Sequence, residues 1–414
     1  MGCVAEKLSS TIVFFIFQVS SIYFLHSLLL AHVMVNFDGV AVKSSPELPF
    51  RFRSEDGTFK ILQVADMHYG QGAISRCRDV PSSEFKFCSD LNTTVFLRRL
   101  IEAEKPDFIA FTGDNIFGSS TPDAAESLFH AFGPALEYRI PWAAILGNHD
   151  QESTMDREEL MSLISLMDYS VSEVNPVVRD PSSSGEKVFL DRIDGFGNYN
   201  LMVYGAYGSP FANHSILDLF FLDSGDRFTA KRGQIYGWIR ESQLDWLRGL
   251  SQHEQDEHWR HNYLRSSCFP RKTPPALAFF HIPIPEVRNL YYREIVGEFQ
   301  EAVACSSMNS GVLKTLVSLK NVKAVFIGHD HINDFCGNLD GVWFCYGGGS
   351  GYHGYGMVGW PRRARVILAE LLKTEGTWMG LERIRTWKRL DDEMLSMIDE
   401  QVMLLVSCSH HDAA

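Results

Sequence analysis

Residues 324–334 read AVFIGHDHIND and place two histidines one residue apart directly after an apolar run. Because side chains alternate along an extended chain, His329 and His331 are expected to face the same side, with Asp330 facing away. Two imidazoles that face one way favour a metal site, although such pairs also occur in surface loops and as hydrogen-bonded core histidines. The interpretation therefore depends on what the rest of the chain supplies.

Similar apolar runs recur along the chain, and each ends in polar residues with glycine or proline. They are FKILQVAD (59–66), DFIAFTGD (107–114), WAAILGNHD (142–150), LFFLDSGD (219–226) and ALAFFHIP (276–283). Helical patterns lie between them at residues 90–105, 121–138, 156–169 and 242–250. This alternation of strand and helix predicts crossover connections and an α/β fold with a parallel or mixed sheet.

The polar residues at the ends of these runs form an ordered set: Asp66, His68, Asp114, Asn148, His149, Asp150, His281, His329 and His331. In open α/β sheets ligands bind at the carboxyl ends of the strands, so these side chains can converge. Any single member has a purely structural explanation as a helix cap, a turn residue or a core histidine. Taken jointly, the mixed nitrogen and oxygen donors favour bound Zn, Fe or Mn.

Composition limits the partners of this protein. The chain has 414 residues, of which 45% are hydrophobic and 21% charged, as is typical of globular proteins. Its formal net charge of −13 argues against long-range attraction to nucleic acid or to an anionic membrane surface. An anionic substrate therefore needs a local positive centre, which bound metal ions would supply.

The two ends of the chain differ from the middle. Residues 1–35 are predicted to be a secretory signal peptide, because TIVFFIF and IYFLHSLLLAHVMV follow Lys7. The alternative is an uncleaved membrane anchor, since this apolar stretch exceeds the ~20 residues that cross a bilayer. We expect one domain over residues 36–390, followed by an acidic helix and a frayed tail over residues 391–414. Glycosylation sequons at Asn92 and Asn213 fit a secreted route.

Cysteine spacing also fits an oxidising compartment. Cys77 with Cys88, and Cys336 with Cys345, each flank a short turn-rich stretch, and CGNLDGVWFC in particular predicts a disulfide-closed hairpin. A third bridge between Cys268 and Cys305 would leave Cys408 unpaired. The sequence does not choose among the connectivities, and buried thiols remain the alternative.

Together these motifs resemble the calcineurin-like metallophosphoesterase superfamily, whose signature is D-x-H, G-D, G-N-H-D/E, a later lone H and G-H-x-H. The matching residues, which fall within 60–335, are Asp66-Met67-His68, Gly113-Asp114, Gly147-Asn148-His149-Asp150, His281 and Gly328-His329-Asp330-His331. Residues 52–70 and 345–366 further resemble the plant low-molecular-weight group named among the purple acid phosphatases.

The resemblance implies a four-layer αββα sandwich with two divalent metal ions at the loop edge where the strands end. One ion would be held by Asp66, His68 and His331, and the other by Asn148, His281 and His329, with Asp114 bridging the two. A hydroxide between the ions would attack phosphorus in line. His149 would act as general acid or stabilise the leaving group, with Asp150 orienting its ring and raising its basicity.

Two positions depart from the purple acid phosphatases. Those enzymes carry D-x-G where this chain has His68, and G-D-x-x-Y where it has Phe117. The missing tyrosine is the ferric ligand that gives those enzymes their colour, and a phenylalanine ring has no donor atom to replace it. Because His68 restores the ligand count with a neutral nitrogen, we expect a competent site with a different metal preference.

We therefore expect a secreted dinuclear phosphoesterase that hydrolyses small phosphate monoesters and neither binds nucleic acid nor, once the signal is cleaved, associates stably with membranes. The alternatives are a phosphodiesterase and a catalytically inactive protein that binds phosphate or metal on the same scaffold. Retention of every predicted ligand together with His149 favours the enzyme. The sequence leaves the natural substrate, the native metal pair and the oligomeric state open.

Overall fold

The computed structural model describes residues 17–25, 43–176, 193–230, 233–256 and 273–406. The chain divides into two units, Met1–Ser44 and Ser45–Ala414. In the first unit, residues 17–25 form a helix, α1. Most of the predicted signal peptide lies outside the described residues, and among those described no helix combines the length and apolar character needed to cross a membrane.

The second unit contains two large mixed sheets and their connecting helices. In chain order the described strands are β1 (Phe50–Arg51), β2 (Thr58–Val64), β3 (Phe108–Thr112), β4 (Trp142–Ile145), β5 (Tyr199–Tyr204), β6 (Ser215–Phe221), β7 (Arg227–Ala230), β8 (Gly233–Tyr236), β9 (Ala276–Phe279), β10 (Ile295–Val296), β11 (Val322–Ile327), β12 (Cys336–Leu339), β13 (Val342–Tyr346), β14 (Arg363–Thr374), β15 (Thr377–Leu390) and β16 (Met397–Leu405). The helices that follow α1 are α2 (Ser82–Phe85), α3 (Asp90–Glu104), α4 (Ala124–Glu137), α5 (Arg157–Leu166), α6 (Glu241–Asp256) and α7 (Val312–Leu319).

One sheet has the strand order β1-β5-β6-β9-β11-β13-β12-β10, and the other has the order β16-β15-β14-β2-β3-β4. The neighbours β2, β3 and β4 are parallel, as are β6, β9, β11 and β13. The predicted strands are confirmed as β2, β3, β4, β6, β9 and β11, and the predicted helices as α3 to α6. Consecutive parallel strands require crossover connections, and α3 and α4 provide them in the second sheet.

The two sheets share one apolar core. The rings of Phe108 in β3 and Phe221 in β6 meet at 6.3 Å, and Gln63 in β2 donates to the carbonyl of Ile327 in β11 at 3.1 Å. On the outer side of β3 and β4, the ring of Phe132 in α4 lies 4.4 Å from that of Trp142. The two sheets pack against each other, and helices pack on their outer sides, which confirms the predicted α/β sandwich.

The predicted acidic helix near the carboxyl terminus is wrong. Residues Met397–Leu405 form β16, which pairs antiparallel with β15. The indole of Trp343 also donates to the carbonyl of Met403 at 3.0 Å. Pairing with β15 supplies backbone hydrogen bonds that a local helical pattern does not reveal, so tertiary context overrides local propensity. The tail over residues 407–414 lies outside the described residues.

Both predicted short-range disulfides are present, Cys77 with Cys88 and Cys336 with Cys345. The second joins β12 to β13 and confirms the closed hairpin. Cys305 is a buried free thiol, whereas Cys268 and Cys408 lie outside the described residues.

Candidate metal centre

The residues predicted to bind metal form one buried cluster where β2, β3, β4, β9 and β11 end. Each is at most 8% exposed, which leaves their polar atoms facing one another instead of solvent. We call them the ligand cluster: Asp66, His68, Asp114, Asn148, His281, His329 and His331. The strand ends therefore converge as the sequence predicts.

The backbone of the cluster is strained. Asp66, His68, Asp114 and His329 have φ angles of 54°, 46°, 49° and 81°, in the left-handed region that residues other than glycine rarely adopt. Backbone hydrogen bonds hold the strained turns together, with His68 donating to the carbonyl of Asp114 at 2.8 Å. Such strain persists only where surrounding structure fixes it, and it is common at functional sites.

Two glycines in the motifs permit the close approach of strand ends. A Cβ atom on Gly113, whose φ is 89°, would lie 2.6 Å from Nδ1 of His281. A Cβ atom on Gly147 would collide with Oδ1 of Asp114. The glycines of the G-D and G-N-H-D segments are thus needed because side chains from other strands fill the space beside them.

One part of the cluster consists of Asp66, His68, Asp114 and His331, whose possible ligand atoms lie within 4.8 Å of one another. Nε2 of His68 is 3.3 Å from Oδ2 of Asp114, and Nε2 of His331 is 3.6 Å from Oδ1 of Asp66. Nδ1 of His331 lies 2.8 Å from the carbonyl oxygen of Tyr355, a contact that turns Nε2 toward the carboxylates.

The other part consists of Asp114, His281 and His329, again with possible ligand atoms within 4.8 Å. Nδ1 of His281 lies 2.9 Å from the carbonyl oxygen of Thr112, and its Nε2 is 3.2 Å from Oδ2 of Asp114. Asp114 belongs to both parts, so one carboxylate is placed where it could contact two ions. This arrangement can hold a dinuclear metal site.

Several buried atoms of the cluster lack partners in the described part of the chain. Oδ1 of Asn148 and Nε2 of His329 form no hydrogen bond there, and Nε2 of His281 has only the Asp114 carboxylate beside it, at 3.2 Å. Leaving such a group buried and unsatisfied costs ~1–3 kcal/mol, so it normally has a partner. The orphaned atoms are imidazole nitrogens and an amide oxygen, which are suitable ligands for divalent transition metals. The donor set therefore fits the two ions that the sequence predicts.

Burial and mutual charge shift the pKa values of the cluster in different directions. Burial raises the pKa of Asp66 well above its usual range. Burial acts the same way on Asp114, but His281 and His68 outweigh it and hold the pKa of Asp114 well below its usual range. Burial lowers the pKa of His281, but Asp114 and Asp66 together raise it to about 9. Burial lowers the pKa of three imidazoles, which favours the neutral form that binds metal: His68, His329 and His331.

His149 lies beside the cluster, but the expectation that Asp150 orients its ring is wrong. Asp150 is fully buried, and its carboxylate accepts hydrogen bonds from the backbone N–H groups of Ile116 at 2.9 Å and Gly147 at 2.7 Å. It therefore joins the loops after β3 and β4. Its side chain is used by backbone donors that the sequence pattern does not reveal.

Two residues that the sequence analysis missed contact the His149 ring instead. Nδ1 of His149 is 2.9 Å from Oε2 of Glu152, and Nε2 accepts from Nη2 of Arg227 at 2.8 Å. Arg227 also forms an ion pair with Glu152, so the three side chains are mutually bonded. Glu152 was detectable as an acid three residues after the histidine, but Arg227 is 78 residues away and carries no local signal.

A cavity of about 350 Å³ opens above the cluster. Phe117 lines it, with its ring 5.2 Å from that of His68 and 4.9 Å from that of His149, and offers no donor atom. The other lining residues that sequence reasoning did not single out include Arg78, Tyr236, Glu301 and Tyr355. They come from loops and a hairpin that are distant in the chain.

A family model and several known proteins are similar to this chain. The family model described as Calcineurin-like phosphoesterase matches residues 59–333. "Probable inactive purple acid phosphatase 28" of Arabidopsis thaliana is 59% identical over 405 residues, covering 97% of this chain and 98% of that protein. "Probable inactive purple acid phosphatase 29" of the same plant is 48% identical, covering 84% and 87%. Among solved structures, a dimetal phosphatase from Danio rerio aligns with a TM-score of 0.49 at 15% identity, covering 84% of this chain and 99% of that one.

Proposed function

Because this chain belongs to the calcineurin-like phosphoesterase family, we propose that it is a secreted, dinuclear-metal phosphoesterase that hydrolyses phosphate monoesters. The observation that carries the proposal is the sharing of Asp114 between two groups of buried ligands, beside orphaned imidazole and amide atoms. A site that is electrostatically incomplete without cations is suited to bind an anionic phosphoryl group once the cations are present.

In this proposal Asp66, His68 and His331 would hold one ion, Asn148, His281 and His329 would hold the other, and the two ions would share Asp114. When bound, a pair of Zn, Fe or Mn ions would supply Lewis-acid polarisation of the phosphoryl oxygens and a hydroxide nucleophile near neutral pH. The chain's own residues exclude bulk water from the cluster through its burial. The cavity above leaves room for a small phosphorylated substrate.

In this proposal His149 donates a proton to the departing oxygen. It lines the cavity, and the contact between its Nδ1 and the Glu152 carboxylate at 2.9 Å fixes the orientation of the ring. Arg227 donates to the opposite nitrogen, so His149 must exchange this contact for the leaving group during turnover.

A second candidate function is a catalytically inactive protein that binds phosphate or metal. The names of the similar Arabidopsis proteins favour it, because they describe those proteins as probably inactive. The arrangement of His149 argues for the enzyme, since binding alone does not require a positioned acid beside the cluster.

The deciding experiment is turnover by metal-reconstituted protein. The purified chain is stripped with a chelator, reloaded with Zn, Mn or Fe(II), and assayed with 4-nitrophenyl phosphate and bis(4-nitrophenyl) phosphate beside Asp114→Asn as the matched background. We expect monoester hydrolysis well above that background. Hydrolysis of the diester alone would make the protein a phosphodiesterase, and a fully loaded protein no faster than the variant would be an inactive binder.

Secretion is tested through glycosylation. Asn213 is exposed in a turn, whereas Asn92 lies in α3 and its side chain accepts a hydrogen bond from the backbone of Ser89 at 3.1 Å. We therefore expect glycan at Asn213, lost in Asn213→Gln and retained in Asn92→Gln, on a mature chain that begins after residue 35. Recovery of intact, unglycosylated protein from the cytosol would contradict this localisation.

A further inference from the structure

An arginine that has no acidic partner among the described residues lines the cavity above the ligand cluster. Arg78 shares the cavity wall with His68, His149 and Phe117. Its guanidinium lies 5.2 Å from the centre of the Phe117 ring and, within the described part of the chain, forms no hydrogen bond or ion pair. Arg227, by contrast, is bonded to both Glu152 and His149.

The backbone of Arg78 is held in place, although its guanidinium has no partner among the residues that the structure describes. Its N–H donates to the carbonyl of Tyr352 at 2.8 Å, and its own carbonyl accepts from Nη2 of Arg362 at 2.9 Å. The Cys77–Cys88 disulfide constrains the adjacent residue. A solvent-facing arginine over an aromatic ring is ordinary by itself. Here a constrained loop directs the arginine into the cavity. The carboxylates of Glu301 and Asp330 line the same cavity, but neither pairs with Arg78.

We propose that Arg78 binds the phosphoryl oxyanion of the substrate and makes the site prefer dianionic monoesters to monoanionic diesters. This inference rests on the proposed function and specifies its substrate class. A guanidinium pairs its planar fork of N–H groups with two phosphoryl oxygens. A monoester dianion carries one more negative charge and one more terminal oxygen than a diester, so it gains more from this contact.

The test compares variants on two esters of the same leaving group. Arg78→Ala should lower kcat/KM for 4-nitrophenyl phosphate by about 10–100-fold, as expected for losing a hydrogen bond to a charged group. Its kcat/KM for bis(4-nitrophenyl) phosphate should change by less than about 3-fold, because the diester has one negative charge and one terminal oxygen fewer for Arg78 to pair with. Arg78→Lys keeps the charge without the fork and should fall between wild type and Arg78→Ala.

Arg76→Ala is the matched control. Arg76 belongs to the same loop and is exposed, but its guanidinium donates to the carbonyl of Lys86 at 3.2 Å and it does not line the cavity. It should leave both esters within about 2-fold of wild type, as is usual for a surface substitution. Equal losses on both esters, or none in Arg78→Ala, would overturn the inference.

A binding measurement separates this inference from the proposed function. Calorimetry on metal-loaded protein should show inorganic phosphate bound about 10-fold or more weakly by Arg78→Ala, with unchanged metal content. If wild type binds phosphate through Arg78 but hydrolyses neither ester, the proposed function fails and the Arg78 site stands. Phosphate binding unaffected in Arg78→Ala, with activity lost only for a carboxyphenyl phosphate, would instead assign Arg78 to an anionic leaving group and overturn the inference.

Discussion

The ligand cluster and the rim of the cavity above it are built in opposite ways. The cluster is buried at strand ends, and several of its atoms lack hydrogen-bond partners in the described structure. What we call the rim consists of Arg78, Phe117 and His149, which line the cavity, together with Glu152 and Arg227, which contact His149. These residues come from loops and a hairpin, and the side chain of His149 is 22% exposed. Most rim groups already pair with one another, through Glu152 in particular.

This difference separates two tasks. An incomplete buried cluster gains most from cations, because each ion removes the cost of several unsatisfied groups at once. The charged groups of the rim either contact one another, as Glu152 and Arg227 do, or face the cavity, as Arg78 does, so the rim gains little from metal and can respond to substrate. Substitutions in the cluster should therefore change metal content, whereas substitutions in the rim should change activity without changing metal content.

The largest effect is expected for Asp114→Asn. Because Asp114 belongs to both parts of the cluster, the variant should lose occupancy of both ions and at least about 10³-fold in kcat, corresponding to several kcal/mol of metal-assisted stabilisation. Elemental analysis beside the turnover assay measures both quantities. Near-normal turnover at full metal loading would remove Asp114 from the mechanism and the cluster from its proposed role.

A smaller, selective effect is expected for His149→Ala. An acid matters most when the leaving group is poor, so kcat for alkyl phosphates should fall by about 10²-fold and that for 4-nitrophenyl phosphate much less. Metal content should stay at the wild-type value. If the two substrates slowed equally, or if metal were lost, His149 would belong with the cluster instead of the rim.

Glu152 and Asp150 lie two positions apart in the chain but have different roles. Glu152 belongs to the rim, whereas the Asp150 side chain bonds to backbone N–H groups, so substituting each of them tests the comparison. Glu152→Gln weakens the contacts to His149 and Arg227, so alkyl phosphate turnover should fall by about 10-fold with little change in Tm. Asp150→Asn should instead destabilise the fold by about 1–3 kcal/mol, since an amide cannot accept from both backbone N–H groups as the carboxylate does. Thermal melts and kinetics on both variants distinguish the roles, and a reversed pattern would restore Asp150 as the residue that orients His149.

The smallest effect is expected at Phe117. Iron-loaded wild-type protein should be colourless in the visible range, and Phe117→Tyr should change kcat by less than about 3-fold, because the ring touches His68 and His149 without bonding to either. A purple band in the wild type would reveal a phenolate ligand. Tyr236 would then be the candidate, since its ring is 4.4 Å from that of His329, while the hydroxyl of Tyr69 already contacts Thr94 at 3.2 Å.

The sequence by itself determined the class of fold and the identity of the cluster. Both follow from local patterns: apolar runs form strands, and donors placed directly after them must lie near the strand ends, as Asp66, Asp114 and His281 do. The G-N-H-D segment likewise contains Gly147, and the packing beside Asp114 requires a glycine there. Such features depend on residues that are close in the chain.

Only the tertiary structure decided how the rim is assembled and where the chain's last strand pairs. Arg227 reaches His149 from β7, Arg78 reaches Phe117 from the loop closed by Cys77 and Cys88, and β16 pairs with β15 instead of forming a helix. The direction of Asp150 was decided in the same way, by backbone donors on Ile116 and Gly147. These contacts form hydrogen bonds and ion pairs between segments that are distant in the chain. They stabilise the protein only after those segments have come together, so local sequence patterns cannot predict them.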